Sequence, residues 1–174
     1  MKSRLVLLVV LVMAALVLVA APVSAHEHRE VGDYAVTFGW RVEPAYAGLY
    51  NGPEFWVENH DDETPVEGLE DTLQLMVHFG DQSKLLTVYA VWDDPGHYTA
   101  DLMPMLPGDY AFHMFGKIGD LDVDEMFNSA DGDFSSIEPA TDIQFPALDN
   151  DVASLQAQID ELRAQLEALT SASS

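Results

Sequence analysis

The sequence predicts an all-β protein: an immunoglobulin-like antiparallel β-sandwich of about seven strands, followed by a C-terminal coiled-coil helix. Three observations predict this fold. Between residues 31 and 146, short apolar stretches alternate with turn residues at regular spacing, as they do in β-sandwiches. Several stretches alternate apolar and polar residues with the period of two that a half-buried strand requires. After residue 147 the apolar period changes to that of a heptad.

The period of two places the individual strands. In Leu73–Phe79, for example, every second residue is a large apolar one, and Gln74, Met76 and His78 share the opposite face. Tyr98 and Tyr110 each follow a glycine turn at the start of a strand, and we expect their hydroxyls to bond backbone groups at sheet corners. The predicted strands are Tyr34–Val42, Glu54–Glu58, Leu73–Phe79, Leu85–Trp92, Tyr98–Leu102, Asp109–Gly116 and Asp122–Asn128.

The first 25 residues resemble a secretory signal peptide. Lys2 and Arg4 precede the apolar run Leu5–Val19, and Val23-Ser24-Ala25 fits a signal-peptidase site. The run is shorter than the roughly 20 residues of a membrane-spanning helix, although an uncleaved anchor is the alternative. We therefore predict cleavage after Ala25 and a secreted or periplasmic (cell-envelope) protein with no membrane attachment afterwards. Residues 26–30 then form a charged N-terminal leader, and 31–146 the sandwich.

The charge of the chain limits the classes of molecule that it can bind. All 30 acidic residues follow Ala25, against five of the seven basic ones. Such a surface repels phosphate backbones, so nucleic acid is excluded as a partner, whereas cations or a basic protein fit. The chain has no cysteine, which excludes disulfides and thiolate metal sites.

Residues 147–174 are predicted to form a coiled-coil helix with a frayed tail. The apolar residues of this stripe are spaced alternately four and three apart; they are Leu148, Val152, Leu155, Ile159, Leu162, Leu166 and Leu169. This is an a/d pattern, and β-branched a positions with Leu at d favour a parallel dimer. We predict self-association through 148–169. The alternative is a single amphipathic helix lying against its own domain.

The mature amino terminus carries the clearest chemical motif. After cleavage the chain begins His26-Glu27-His28. The free amine, two deprotonated backbone amides and the imidazole of His28 form a square-planar set of four nitrogens, the geometry that Cu(II) and Ni(II) prefer. The amine and imidazole of His26 offer a second mode of chelation. The alternative is a flexible leader with two incidental histidines.

A second candidate site combines thioethers and an imidazole. Met103 and Met105 precede the turn Pro107-Gly108, and His113 follows it. If Leu102 and Tyr110 lay on adjacent antiparallel strands, these side chains would come close together, and the ligand types suit Cu(I). The sequence contains no nucleophile elbow, phosphate-binding glycine loop or metalloprotease helix, so we predict no enzymatic activity.

A family resemblance accompanies these motifs. The segment from Asp94 to Asp101, reading DPGHYTAD, with Pro107-Gly108-Asp109-Tyr110 after it, is similar to the G-x-Y-x-A…P-G-x-Y pairing of YtkA-like domains. Together with an exported, disulfide-free sandwich, it resembles the CopC-like and YtkA-like periplasmic domains of bacteria over residues 31–146. The resemblance implies copper binding at His26; the coiled-coil tail is not part of the CopC pattern.

The leading hypothesis is thus an exported, non-enzymatic acidic Ig-like protein that binds copper through its processed N-terminus. The alternative is a secreted structural or protein-interaction module, oligomerised by its coiled coil and without a metal role. A third class, a copper monooxygenase built on an amino-terminal histidine, requires another imidazole beside His26.

Overall fold

The computed structural model describes residues 26–146, 158–163 and 165, and two antiparallel β-sheets form most of it. One sheet has five strands in the order β1-β2-β3-β7-β6, and the other has four in the order β5-β4-β8-β9. The strands are β1 (His26–Val31), β2 (Tyr34–Trp40), β3 (Pro53–Asn59), β4 (Leu73–Phe79), β5 (Gln82–Leu86), β6 (Val88–Ala90), β7 (His97–Ala100), β8 (Ala111–Ile118) and β9 (Leu121–Asn128).

The two sheets share one apolar core, and the predicted all-β class is confirmed. Alternate residues of β2 point inward, so that Phe38 and Trp40 are almost fully buried. Phe38 stacks on Phe127 of the other sheet with ring centroids 4.4 Å apart. Burial of each such ring contributes about 1.5–3 kcal/mol. The indole nitrogen of Trp40 donates to the carbonyl of Ser135 at 2.8 Å, so the core's largest side chain carries no unpaired donor.

The strand count differs from the prediction in two places. The predicted strand Leu85–Trp92 is two strands, because β5 pairs with β4 whereas β6 pairs with β7. The chain thus passes from one sheet to the other at Thr87. Residues 26–30, predicted as a leader, belong to β1, which pairs with β2 along its whole length.

Arg29 explains why this charged segment is a strand. Its guanidinium lies 4.4 Å from the centroid of the Phe127 ring and within 3.2 Å of the carboxylates of Glu125 and Asp133. Arg29 therefore faces inward from β1, and its positive charge is paired with the two carboxylates. Because residues 26–30 are all polar, the period-two pattern of apolar residues does not indicate this strand.

The chain divides into two units, of which residues 140–174 are the second. Its described residues include a short 3-10 turn at Ala140–Asp142 and a helical stretch over 158–163. The predicted signal peptide, and residues 147–157, 164 and 166–174 of the predicted coil, lie outside the described residues. None of the helices in the described part of the chain has the length and apolar character that a membrane crossing requires.

Candidate metal centre

Two histidines from distant parts of the chain lie beside one carboxylate on the outward face of the five-stranded sheet. Nε2 of His26, in β1, lies 3.2 Å from Oε1 of Glu54, in β3. Nε2 of His97, in β7, lies 3.3 Å from Oε2 of the same carboxylate, and only about a tenth of the His97 and Glu54 side chains is exposed. With Asp94 and Trp56, these residues form what we call the His26–His97 cluster.

The strand register brings His26 and Glu54 together across β2. His26 lies opposite Gly39, and Gly39 lies opposite Glu54. Strands two positions apart in a sheet are separated by about 10 Å. A histidine and a glutamate can meet over that distance when the residue between them has no side chain. Gly39 is therefore part of the site.

Trp56 forms the wall of the cluster. It lies directly opposite His97 in the β3–β7 register, and the two rings stack with centroids 4.0 Å apart. The His26 ring meets the same indole edge-on at 5.6 Å. One aromatic ring thus restricts the orientation of both imidazoles.

Asp94 sets the hydrogen bonding of His97. Its carboxylate lies 2.8 Å from Nδ1 of His97. In a neutral ring, donation from Nδ1 to Asp94 leaves a lone pair on Nε2. Within the described residues this Nε2 is buried and has no hydrogen-bond partner, although it lies 3.3 Å from Glu54. Two acceptors facing each other repel, so the geometry favours a bound cation between them.

The distances are those of hydrogen bonds rather than of coordination. Metal–nitrogen and metal–carboxylate bonds are about 2.0–2.2 Å long. In the part of the chain that the structure describes, no three His, Cys, Asp or Glu side chains are already arranged as a metal-binding group. A metal ion would need Glu54 and the two rings to turn toward a common point.

His28 lies beside the cluster rather than in it. Its Nδ1 is 3.1 Å from the hydroxyl of Thr37, its cross-strand neighbour. The predicted four-nitrogen mode needs the backbone amides of Glu27 and His28, and both residues belong to β1. Antiparallel pairing engages the amide of every second residue, so that mode would break the β1–β2 ladder at its first bonds. The strand thus favours chelation by His26 itself.

Met103 and Met105 lie in the loop between β7 and β8, about half and two-thirds exposed. They line a cavity of about 200 Å³ with Lys84 and Tyr110 among its other residues. The condition that would bring them to His113 is not met. Leu102 bridges to Asn51, beside the five-stranded sheet, whereas Tyr110 immediately precedes β8 of the other sheet.

His113 lies on the outward face of β8, in the four-stranded sheet. Its Nε2 is 2.6 Å from Oδ1 of Asp124 on β9. It therefore does not share a site with His26, which belongs to the opposite sheet. Its own neighbours are Met76 and Met126, which lie directly opposite it on the two flanking strands.

A polar network lies beside the His26–His97 cluster; its members are Arg41, Tyr50, Tyr89 and Asp101. The Asp101 carboxylate accepts hydrogen bonds from Tyr50 and from Tyr89, the latter at 2.6 Å, and pairs with Arg41 at 3.4 Å. These bonds, the one from Tyr50 foremost, lower the pKa of Asp101. Arg41 also reaches the hydroxyl of Thr99, the cross-strand neighbour of Glu54. Arg41 and Asp101 therefore pair with each other within this network, and the Glu54 carboxylate contacts the two histidines.

Glu54, Trp56 and His97 are not among the site residues predicted from the sequence. His97 is only 9% exposed because Trp56 covers one side of its ring and Asp94 holds its edge. The available signal was the alternation of Glu54 and Trp56 with the buried apolar residues Pro53, Phe55 and Val57. That pattern places both side chains outward but does not say which strand lies beside them.

Comparisons with known proteins add no family to this description. No protein-family model matches the chain, and no curated protein or solved structure matches it either.

Proposed function

We propose that this chain is an exported, non-enzymatic binding protein for a transition-metal cation, Cu(II), held by the His26–His97 cluster. The observation that carries the proposal is the approach of two imidazole nitrogens, 3.2 and 3.3 Å away, to the two oxygens of Glu54. Cleavage after Ala25 would add the amine of His26 to this donor set. Amine, imidazole and carboxylate donors together suit tetragonal Cu(II).

The surroundings of the cluster support this assignment. A hydrogen bond donated by Nδ1 of His97 to the Asp94 carboxylate would orient the ring, as such bonds do for histidines that bind metals. Glu54 and Asp94 supply negative charge, and the acidic chain attracts cations over a longer range. Burial of His97 and Glu54 leaves little open face for a substrate, which favours storage or transfer of the ion over the monooxygenase alternative.

The immunoglobulin-like fold and the C-terminal coiled coil are part of the same proposal. We assign the two sheets to an immunoglobulin-like sandwich, as the CopC-like resemblance implies. We also propose self-association through the heptads of 148–169, because Ile159 and Leu162, at predicted a and d positions, are 44% and 63% exposed. Sedimentation of the mature protein with and without residues 147–174 tests this point: a monomer in both cases would contradict it.

The decisive experiment measures Cu(II) affinity by chelator competition for protein that begins at His26. We expect Glu54→Gln and His97→Gln each to weaken binding by about tenfold or more, because each removes one donor. Matched controls are Glu58→Gln, on the same face of β3, and His60→Gln, on an exposed turn; both should leave the affinity unchanged. A form that retains Ala25 lacks the amine of His26 and should also bind more weakly.

The opposite results would give a different function. If Glu54→Gln and His97→Gln bound Cu(II) as tightly as the parent, the ion would be held by the terminal peptide alone. Affinity no better than that of a free His-Glu-His peptide would leave the interaction-module alternative, with a basic protein as the partner to seek.

A further inference from the structure

A row of soft ligands crosses the outward face of the four-stranded sheet. Met76 on β4 lies directly opposite His113 on β8, and His113 lies directly opposite Met126 on β9. Residues opposite each other on one face have Cβ atoms about 4.5–5.5 Å apart. All three alternate with buried residues, since Val77, Phe112 and Phe127 point into the core. Two thioethers and one imidazole therefore stand side by side.

His78 adds a second imidazole to this row. It follows Met76 by two residues on the same face, and its ring centroid lies 6.5 Å from that of His113. Its Nε2 is buried and has no hydrogen-bond partner within the described residues. A buried polar atom without a partner is costly, and a bound ion would supply that partner.

The orientation of His113 fits a ligating role. Its Nε2 and the Asp124 carboxylate are 2.6 Å apart, and donation from Nε2 leaves the Nδ1 lone pair available. A histidine that binds a metal through one ring nitrogen usually donates the other to a carboxylate, which fixes the orientation of the ring. Met126 is about half exposed, so an ion could reach the row from solvent.

We propose that Met76, His113 and Met126, with His78 at their side, form a second metal site that takes a soft monovalent cation, Cu(I). Thioether and imidazole donors, with no thiolate or carboxylate bound to the ion, select Cu(I) over Zn(II) and Ca(II). This site lies on the sheet opposite the His26–His97 cluster and does not depend on it. The proposal concerns binding alone and includes no electron transfer between the sites.

The experiment uses Ag(I), a redox-inert probe of Cu(I) sites, with protein that begins at His26. The ε-methyl resonances of the methionines are followed by NMR during titration, and affinity is measured by competition with a chelator. We expect one equivalent of Ag(I) to shift the methyls of Met76 and Met126 and to leave those of Met103 and Met105 in place. Shifts confined to Met103 and Met105 would overturn the proposal.

Variants give an independent test. Met76→Leu with Met126→Leu conserves volume and should weaken Ag(I) binding by about tenfold or more, since both thioethers are lost. The matched control, Met103→Leu with Met105→Leu, should bind like the parent. Loss of binding in the control alone, or equal affinity in all three proteins, would refute the site. Binding should persist in His26→Ala with His97→Ala, and its loss there would assign the Ag(I) ion to the other sheet.

Discussion

The indole ring of Trp56 stacks on the imidazole ring of His97, with centroids 4.0 Å apart and planes inclined by 19°. The pair is produced by the β3–β7 register, which places the two residues directly opposite each other. Since His26 meets the same indole from its edge at 5.6 Å, Trp56 contacts both proposed nitrogen ligands. Any ion bound between the two imidazoles lies within a few ångströms of this tryptophan.

The first prediction concerns fluorescence. Cu(II) bound at the His26–His97 cluster should quench the fluorescence of Trp56, because a paramagnetic ion close to an excited indole promotes non-radiative decay. We expect Trp56→Phe to lose most of the Cu(II)-dependent quenching in a fluorescence titration. Trp92→Phe is the control, because Trp92 is 95% exposed and should contribute none of it. Quenching that survives Trp56→Phe but disappears in Trp92→Phe would place the ion elsewhere.

The second prediction concerns Gly39, which lies between His26 and Glu54 in the register. A valine there would interpose a branched side chain between the two residues, and we expect Cu(II) affinity to fall by about tenfold or more. Valine suits a strand, although the position is buried, so a loss of stability of about 1–3 kcal/mol is expected from overpacking. Chelator competition and thermal unfolding separate the two effects.

A matched control exists on the same strand. Thr37→Val keeps the size of the side chain and removes only the hydroxyl that contacts His28. Its Cu(II) affinity should equal that of the parent if His26 rather than His28 is the ligand. A loss as large as that of Gly39→Val would return His28 to the site and contradict the role given to Gly39.

These two sites show how far the sequence can be interpreted. Alternation alone located β4 at Leu73–Phe79, with its two faces correctly assigned. The expectation for the two tyrosines is also confirmed: the hydroxyls of Tyr98 and Tyr110 donate to the carbonyls of Val66 and Leu106. Each of these features depends on a few consecutive residues and their immediate turn, which the sequence displays directly.

Neighbours across strands depend on information of another kind. His26, Glu54 and His97 meet because β7 lies beside β3 and because Gly39 is in register with both His26 and Glu54. A period of two gives the face of a residue, but a shift of register by two residues keeps that face and changes every neighbour. For the same reason, the sequence prediction grouped His113 with Met103 and Met105, whereas the register places Met76 and Met126 opposite it.

The third prediction concerns the anchoring of β1. Arg29 joins this edge strand to the other sheet through Glu125 and Asp133. Replacement by leucine would leave two partly buried carboxylates without their cation, and we expect a loss of about 1–3 kcal/mol of stability. Hydrogen exchange of the β1 amides should accelerate, and Cu(II) affinity should fall with it because His26 is carried by this strand.

The control for Arg29 is an exposed pair. Lys117 and Asp122 lie 2.7 Å apart, but more than half of each side chain is exposed. Lys117→Gln should leave the stability close to that of the parent and β1 exchange unaltered, because exposed ion pairs contribute little. Equal exchange rates in Arg29→Leu and the parent would show that β1 is held by its ladder with β2 alone.

The last prediction concerns alkaline pH and Tyr98. Its ring is 1% exposed, and its hydroxyl donates to the carbonyl of Val66 at 2.6 Å. Burial raises the pKa of Tyr98 above that of an exposed tyrosine. A raised folded-state pKa contributes stability that is complete below the unfolded value of about 10 and is lost as the pH rises from there through the folded value.

Tyr98→Phe should cost about 1 kcal/mol at neutral pH through the lost hydrogen bond, and this deficit should shrink as the pH rises above about 10. Urea unfolding of both proteins from neutral to alkaline pH measures the difference; a deficit that stays constant or grows would mean that Tyr98 does not ionise on unfolding in this range.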